Sequence, residues 1–138
     1  MQFSVSLKIL DEMLLFVRKE AKRLAIPAKA IHKMELACEE AIVNIISHAH
    51  PKDDDLLSIE CSLLDATHFD VMIKDQGPPF NPLEAPIDPQ KNKTVSERKI
   101  GGLGIYLIRK LIDEAVYKRE ENENVLHLTL RLEVPEQL

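Results

Sequence analysis

Glycine is concentrated at two places in this chain, and that distribution restricts how the chain can fold. Three of its four glycines (Gly101, Gly102 and Gly104) lie within four positions, directly before an apolar run with helical spacing. The fourth is Gly77, in the segment Asp-Gln-Gly-Pro-Pro-Phe at 75–80. Glycine is needed where the backbone takes a positive φ or approaches a ligand closely. These two loops are therefore candidates for holding a ligand.

Length and charge exclude several classes of protein. A chain of 138 residues with 45% hydrophobic composition can bury one core, so we expect a single domain over 1–138. The net charge of -5 argues against a direct nucleic-acid partner. No apolar run approaches the roughly 18 residues that span a bilayer, and residues 1–6 lack a signal-peptide pattern. We expect no membrane association and a cytoplasmic location.

The two cysteines do not form a recognisable framework. Cys38 and Cys61 both lie inside apolar segments, and two cysteines provide neither a disulfide scaffold nor a zinc-ligand spacing. Cysteine in such a setting behaves as a small hydrophobe. Both side chains are expected to be buried.

Hydrophobic periodicity predicts an α+β fold. Alternating patterns predict strands at 2–8, 56–64, 67–74, 115–119 and 125–132, with a turn at 121–124 between the last two. Helical stripes run through 10–24, 28–49 and 103–112. Residues 78–99 hold five prolines and predict a long loop of the kind that serves as a lid. Hairpins with grouped helices predict a two-layer sandwich, a mostly antiparallel sheet covered on one face by three helices.

The second predicted helix carries polar residues on an otherwise apolar face. Glu40 and Asn44 are one turn apart and point the same way, and His48 continues the line. Asn44 offers an oxygen ligand to Mg²⁺, which prefers such donors and bridges nucleotide phosphates. Glu40 is then placed as a general base toward a hydroxyl or water that attacks the terminal phosphate. The plainer alternative is a solvated glutamate and a tolerated polar asparagine.

The glycine-rich segment at 101–104 precedes a predicted helix. Such an opening presents free backbone N–H groups and the positive end of the helix dipole to a phosphate. A tight turn without a ligand is the alternative. A dinucleotide fingerprint is disfavoured because no third glycine follows Gly104 at its spacing, and the chain contains no P-loop motif.

Asp75 lies at the end of a predicted strand, two residues before Gly77. An ionised carboxylate only accepts hydrogen bonds, so it can bind an exocyclic amino group such as adenine N6 and reject a guanine O6. The alternative is an ordinary turn aspartate before Gly-Pro. All three plain alternatives, for the α2 face, the glycine-rich segment and Asp75, would have to hold together in one short chain. That requirement argues against coincidence.

These residues, in this order, resemble the GHKL (Bergerat-fold) ATP-binding family, and within it the small anti-sigma-factor serine kinases of bacterial partner-switching systems. Glu-Ala-Ile-Val-Asn at 40–44 is similar to the family's N-box. Segment 75–80 is similar to its first glycine box, and Gly-Gly-Leu-Gly-Ile at 101–105 to its second. The resemblance covers nearly the whole chain.

The resemblance implies ATP and Mg²⁺ as cofactors and assigns a role to each of these residues. Glu40 would be the catalytic base, Asn44 the Mg²⁺ ligand and Asp75 the adenine-reading residue. Thr129 matches a position that often supports that aspartate, although a plain strand threonine is the alternative. The remaining nucleotide-binding residues would be Gly77, Gly101, Gly102, Leu103 and Gly104, with 78–99 as the lid.

The implied function is that of an ATP-dependent serine/threonine-protein kinase and anti-sigma factor. One surface would bind a sigma factor or another regulator, and a STAS-type antagonist would compete and be phosphorylated; a homodimer is implied too. Only about 25 residues precede the N-box helix, so we expect no internal phosphoacceptor. Two alternatives remain: a module that binds ATP only to sequester a regulator, and a regulatory fragment of a sensor histidine kinase. The chain departs from the family pattern in its Pro78-Pro79 pair.

Overall fold

A five-stranded antiparallel sheet with three helices on one face forms the fold. The structure is a computed structural model that describes residues 1–4, 9–49, 56–84 and 104–133. The strands lie in the order β1-β2-β3-β5-β4, and all neighbours are antiparallel. The elements are β1 (Gln2–Ser4), α1 (Leu10–Arg23), α2 (Ala28–Ala49), β2 (Leu56–Asp65), β3 (His68–Asp75), a 3₁₀ turn (Pro82–Glu84), α3 (Gly104–Leu111), β4 (Glu114–Glu120) and β5 (Glu123–Arg131). The predicted α+β class is confirmed.

The first two helices are joined by a tight turn. Ala25 takes a φ of 60°, and the N–H of Ile26 donates to the carbonyl of Ala21 at 3.0 Å. This is the geometry of a Schellman helix end, in which the buried Ile26 provides the accompanying hydrophobic contact. α2 then runs over 28–49 as predicted. None of the helices within the described ranges is long and apolar enough to cross a membrane.

The core lies between the helices and the inner face of the sheet. On β3 and β5, alternate residues face inward and pair across the strands, as Ile73 does with Leu126. Cys38 is fully buried among the helices, and burial raises the pKa of its thiol. Cys61 is only half-buried, contrary to expectation. Among the described residues, β1 pairs with residues 56–58 and Met1 bonds with Ile59, so the edge of β2 has no neighbouring strand at Cys61.

The β4–β5 hairpin turns more tightly than the sequence predicts. Only Glu121 and Asn122 lie in the turn, with φ values of 49° and 66°. Two residues of positive φ form the kind of turn that matches the twist of a hairpin. β5 therefore begins at Glu123, and Asn124 belongs to the strand. The register then places Asn124 opposite Asp75 on β3.

Part of the predicted lid has regular structure. Pro82–Glu84 form the 3₁₀ turn, which contacts α2, α3 and β4. Its first residue, Pro82, is buried. The prediction of a loop without any element is therefore wrong at this point, while residues 85–99 lie outside the described residues.

Candidate nucleotide-binding site

Three segments meet at one end of the molecule: the C-terminal half of α2, the loop that follows β3, and helix α3. The rings of His48 on α2 and Phe80 in the loop lie 5.7 Å apart between centroids, inclined at 32°. The 3₁₀ turn that follows the loop contacts both α2 and α3, and α3 packs along α2. The turn of α2 that follows the predicted N-box therefore lies beside the end of the predicted first glycine box. Of the second box, Gly104 is the first residue of α3, while Gly101, Gly102 and Leu103 lie outside the described residues.

Asp75 is the last residue of β3 and is buried, with 3% of its surface exposed. Its Oδ1 accepts a hydrogen bond from the Gly77 N–H at 3.0 Å, which closes a local aspartate turn. The same oxygen accepts a second bond from Asn124 Nδ2 at 2.9 Å. In the strand alternation, Asp75 lies on the helix side of the sheet, together with the buried Ile73. The carboxylate is therefore held at the strand end where the sequence placed it.

Asn124 is the centre of the hydrogen-bond network around the first glycine loop. Its Nδ2 donates to Asp75 Oδ1 and to the Pro78 carbonyl, both at 2.9 Å. Its Oδ1 accepts from the Phe80 N–H at 3.1 Å and from the Tyr117 hydroxyl at 2.6 Å. A primary amide has two N–H donors and two acceptor lone pairs, so Asn124 is fully satisfied. One side chain thus joins the start, middle and end of the loop.

Sequence reasoning missed Asn124, and with it Tyr117 and Arg119 on β4. Arg119 Nη1 donates to the Gly77 carbonyl at 2.7 Å, so β4 holds the loop as well. The sequence pattern predicts a turn over 121–124, which leaves Asn124 outside the strand. Glu-Asn at 121–122 was the available signal, because a two-residue hairpin turn favours Asn and would have placed Asn124 in β5.

Thr129 was predicted to support Asp75, and that prediction is wrong. Its hydroxyl donates to Asp70 Oδ1 at 2.8 Å, and His127 Nδ1 lies 2.9 Å from the other oxygen of the same carboxylate. Side chains alternate between the two faces of a strand, and residues 124 and 129 are separated by an odd number of positions. Thr129 therefore lies on the face of β5 opposite to Asn124, away from Asp75.

Asn44 is buried and Glu40 is half-buried, and neither has its full complement of hydrogen bonds. Asn44 is 3% exposed. Among the described residues, neither Glu40 Oε2 nor Asn44 Nδ2 has a hydrogen-bond partner. Burial raises the pKa of the Glu40 carboxyl, and the adjacent Glu39 carboxylate raises it further. Because buried polar atoms are nearly always paired, two orphans one helical turn apart indicate a place for a polar ligand.

The oxygen donors at this face fit a magnesium ion whose coordination shell is completed by phosphate oxygens. No cluster of three or more His, Cys, Asp or Glu able to hold a metal occurs within the part of the chain that the structure describes. Rotation of the Asn44 amide by 180° exchanges its nitrogen and oxygen without a change of shape, and directs a hard oxygen donor to the orphaned position. Mg²⁺ in nucleotide sites takes one or two protein oxygens and completes its shell with phosphates and water.

Comparison with known proteins identifies the family. The profile of the family described as "Histidine kinase-like ATPase domain" matches residues 3–130. The chain is 32% identical over 109 residues to "Serine-protein kinase RsbW" of Bacillus cereus, covering 77% of this chain and 68% of that protein. It is 31% identical, with the same coverage, to the protein of that name from Bacillus mycoides.

Solved structures support the fold. The structure of the RsbU and RsbW domains of Rv1364c from Mycobacterium tuberculosis has a TM-score of 0.65 at 14% identity, covering 98% of this chain and 33% of that one. A blue-light activated histidine kinase of Erythrobacter litoralis has a TM-score of 0.54 at 15% identity, covering 77% of this chain and 31% of that one. This chain thus spans about a third of either longer protein. It belongs to the histidine kinase-like ATPase domain family, a family that uses ATP, and within it to the RsbW-type serine-protein kinases.

Proposed function

We propose that this protein is an ATP-dependent serine/threonine-protein kinase and anti-sigma factor that phosphorylates a STAS-type antagonist. The observation that carries the proposal is the orphaned polar pair on α2, Glu40 Oε2 and Asn44 Nδ2. A structural helix face would not retain two such atoms, because a buried polar group without a partner costs about 1–3 kcal/mol. A nucleotide with its metal ion would satisfy both.

The proposed roles are those that the family resemblance implies, and the position of each side chain supports them. Asp75 would accept a hydrogen bond from the adenine amino group, and Asn44 would hold Mg²⁺, which neutralises phosphate charge when bound. Glu40 would accept the proton of the attacking serine or threonine hydroxyl. The hydroxyl oxygen forms a bond to the γ-phosphorus while the bond from phosphorus to the bridging oxygen breaks, and ADP leaves. Burial aids this step because a raised carboxyl pKa makes Glu40 a stronger base.

The names of the relatives support the identity of the reaction. Two RsbW proteins are named serine-protein kinases, and a structural neighbour carries an RsbW domain together with an RsbU domain. The antagonist, the sigma factor and a homodimer are proposed for this chain from that kinship and from the sequence motifs. The protein substrate would be presented at the α2 face, where Glu40 lies.

A binding module without turnover is the second candidate. It is favoured by the rigidity of the first glycine loop, in which Pro78 and Pro79 follow Gly77. The Pro78 carbonyl is bound by Asn124, and the Gly77 carbonyl by Arg119. A loop fixed in this way can hold a nucleotide without the movement that turnover requires.

Phosphoryl transfer to a purified STAS-type antagonist tests the proposal. With γ-labelled ATP, Glu40→Gln should lose about 10²–10⁴-fold in transfer rate while ATP binding changes little, since a general base contributes about that factor. Glu39→Gln is the matched control, because it removes the adjacent carboxylate of the same helix and should retain transfer.

Equal transfer by the Glu40→Gln variant would reject the assignment of the base. Formation of an ATP-dependent complex with a sigma factor, without any phosphoprotein from the wild type, would favour the second candidate. Phosphohistidine on a separate helical protein would instead favour a sensor-kinase fragment.

A further inference from the structure

We propose that Asn124 is a positioning residue for base selectivity. Its amide orients the Asp75 carboxylate and fixes the first glycine loop (75–80), so that the site distinguishes an amino group from an oxygen at position 6 of a purine. This inference rests on the proposed function, in which Asp75 accepts a hydrogen bond from the adenine amino group. Asn124 thereby has the supporting role toward Asp75 that the family resemblance implies for Thr129.

The orientation of the Asn124 amide follows from its partners. The Phe80 N–H can only donate, so the atom that it contacts at 3.1 Å must be the amide oxygen. The Pro78 carbonyl can only accept, so the atom 2.9 Å from it must be the amide nitrogen. The Tyr117 hydroxyl donates to the same oxygen as Phe80. Asn124 therefore has to present an N–H to Asp75, and the reverse orientation would lose these bonds.

The bond to Asp75 limits how its carboxylate can rotate. Both the Gly77 N–H and Asn124 Nδ2 donate to Oδ1, from within the loop and from the neighbouring strand respectively. Two donors on one oxygen determine the plane of the carboxylate. A polar group held in one orientation discriminates between ligands more strongly than one that turns to accept whatever is offered.

The loop itself is fixed by the same side chain. Asn124 binds Asp75 where the loop begins, Pro78 in its middle and Phe80 where it ends. Asn124 is 3% exposed and in strand register with Asp75, so the bond between them is buried, and the bonds to Pro78 and Phe80 are partly buried. The loop backbone beside the purine is thereby held from β5.

A matched pair on the same two strands provides the control. Thr129 on β5 donates to the buried Asp70 on β3 at 2.8 Å, in the same register and on the opposite face. Thr129→Val removes a buried cross-strand bond to an aspartate, as a change at Asn124 does. It does so away from the first glycine loop.

The test compares dissociation constants for ATP and inosine triphosphate, which has an oxygen in place of the 6-amino group. In Asn124→Asp, an oxygen that can only accept replaces the amide nitrogen that donates to Asp75 and Pro78. Two carboxylates then face each other. We expect the preference for ATP over inosine triphosphate to fall tenfold or more. Tyr117→Phe keeps the Phe80 bond and should reduce the preference about threefold, the effect of one hydrogen bond. Thr129→Val should leave it unchanged.

The outcomes separate this inference from the proposed function. An unchanged preference in Asn124→Asp, together with its loss in Asp75→Asn, would overturn the role of Asn124 and leave the proposed function intact. A wild type that binds no ATP, or an Asp75→Asn variant that keeps the preference, would instead remove the adenine assignment itself. If Asn124→Asp does not fold, Tyr117→Phe decides, and an unchanged preference there overturns the inference.

Discussion

Two buried asparagines of this protein, Asn44 on α2 and Asn124 on β5, differ in the state of their hydrogen bonds. Each has 3% of its surface exposed. Asn124 makes four hydrogen bonds, which use every donor and acceptor of its amide. The amide nitrogen of Asn44 makes none among the described residues, and neither does the neighbouring Glu40 Oε2. The loop expected to bind the purine is thus complete without a ligand, while the face expected to bind phosphate and metal is not.

This difference distinguishes a polar group that stabilises the fold from one that is left available to bind a ligand. A satisfied buried amide contributes a modest net stability, and a large cost arises only when one partner is removed. An amide with an unpaired buried nitrogen, such as that of Asn44, already lowers the stability of the unliganded protein by that amount. Opposite effects on stability are therefore expected when the two asparagines are replaced by the same apolar side chain.

Replacement of Asn124 by leucine should have the largest effect on stability. Asn124→Leu leaves its four partners without their bonds, including the Asp75 carboxylate oxygen and the Tyr117 hydroxyl. We expect the free energy of unfolding to fall by about 3 kcal/mol. Urea denaturation of the nucleotide-free protein measures this, and a change below about 1 kcal/mol would show that the network is replaced by water.

Replacement of Asn44 by leucine should act in the opposite direction. Asn44→Leu removes a buried amide that has an unpaired nitrogen and substitutes an apolar side chain of similar volume among the core residues of α2. The free energy of unfolding should rise by about 1 kcal/mol without nucleotide. Loss of stability in the same urea experiment would place Asn44 among the structural asparagines and remove the contrast.

The pH dependence of stability should report a smaller contribution from Glu40. Its pKa is raised in the folded protein by burial and by Glu39, so the folded state binds its proton more tightly than the unfolded state does. Stability is then lost as the pH rises from the ordinary carboxyl pKa through the raised one. Glu40→Gln should flatten that part of the profile, while Glu39→Gln should change it less. An unaltered profile in Glu40→Gln would show that the carboxyl is effectively solvated.

The sequence predicted that Glu40 and Asn44 share a face of α2, and that prediction depends only on a local rule. Residues four apart on a helix share a face, so the proximity of Glu40 and Asn44 needs no knowledge of the tertiary structure. Asp75 was placed correctly for a similar reason, since a strand ends where its alternation ends. The partner of Asp75 is a different case, because Asn124 is 49 positions away along the chain.

That pairing depends on two registers, one between β4 and β5 and one between β3 and β5. The positive φ values of Glu121 and Asn122 produce a turn of two residues, whereas the pattern suggested four. The shorter turn adds Asn124 to β5. Because the faces of a strand alternate, Thr129 then lies opposite Asp70, and the predicted support for Asp75 is replaced by Asn124. Periodicity identifies strands well, but it does not determine which residues pair across them.

Together, the polar face of α2 and the first glycine loop are expected to bind one magnesium nucleotide. Calorimetric titration of the wild type and Asn44→Leu with ATP, in the presence of Mg²⁺ and of a chelator, tests it most directly. Mg²⁺ should strengthen ATP binding by the wild type and not by Asn44→Leu, while the chelator curves of the two proteins should agree. The same Mg²⁺ dependence in both proteins, or no heat from ATP at millimolar concentration, would contradict it.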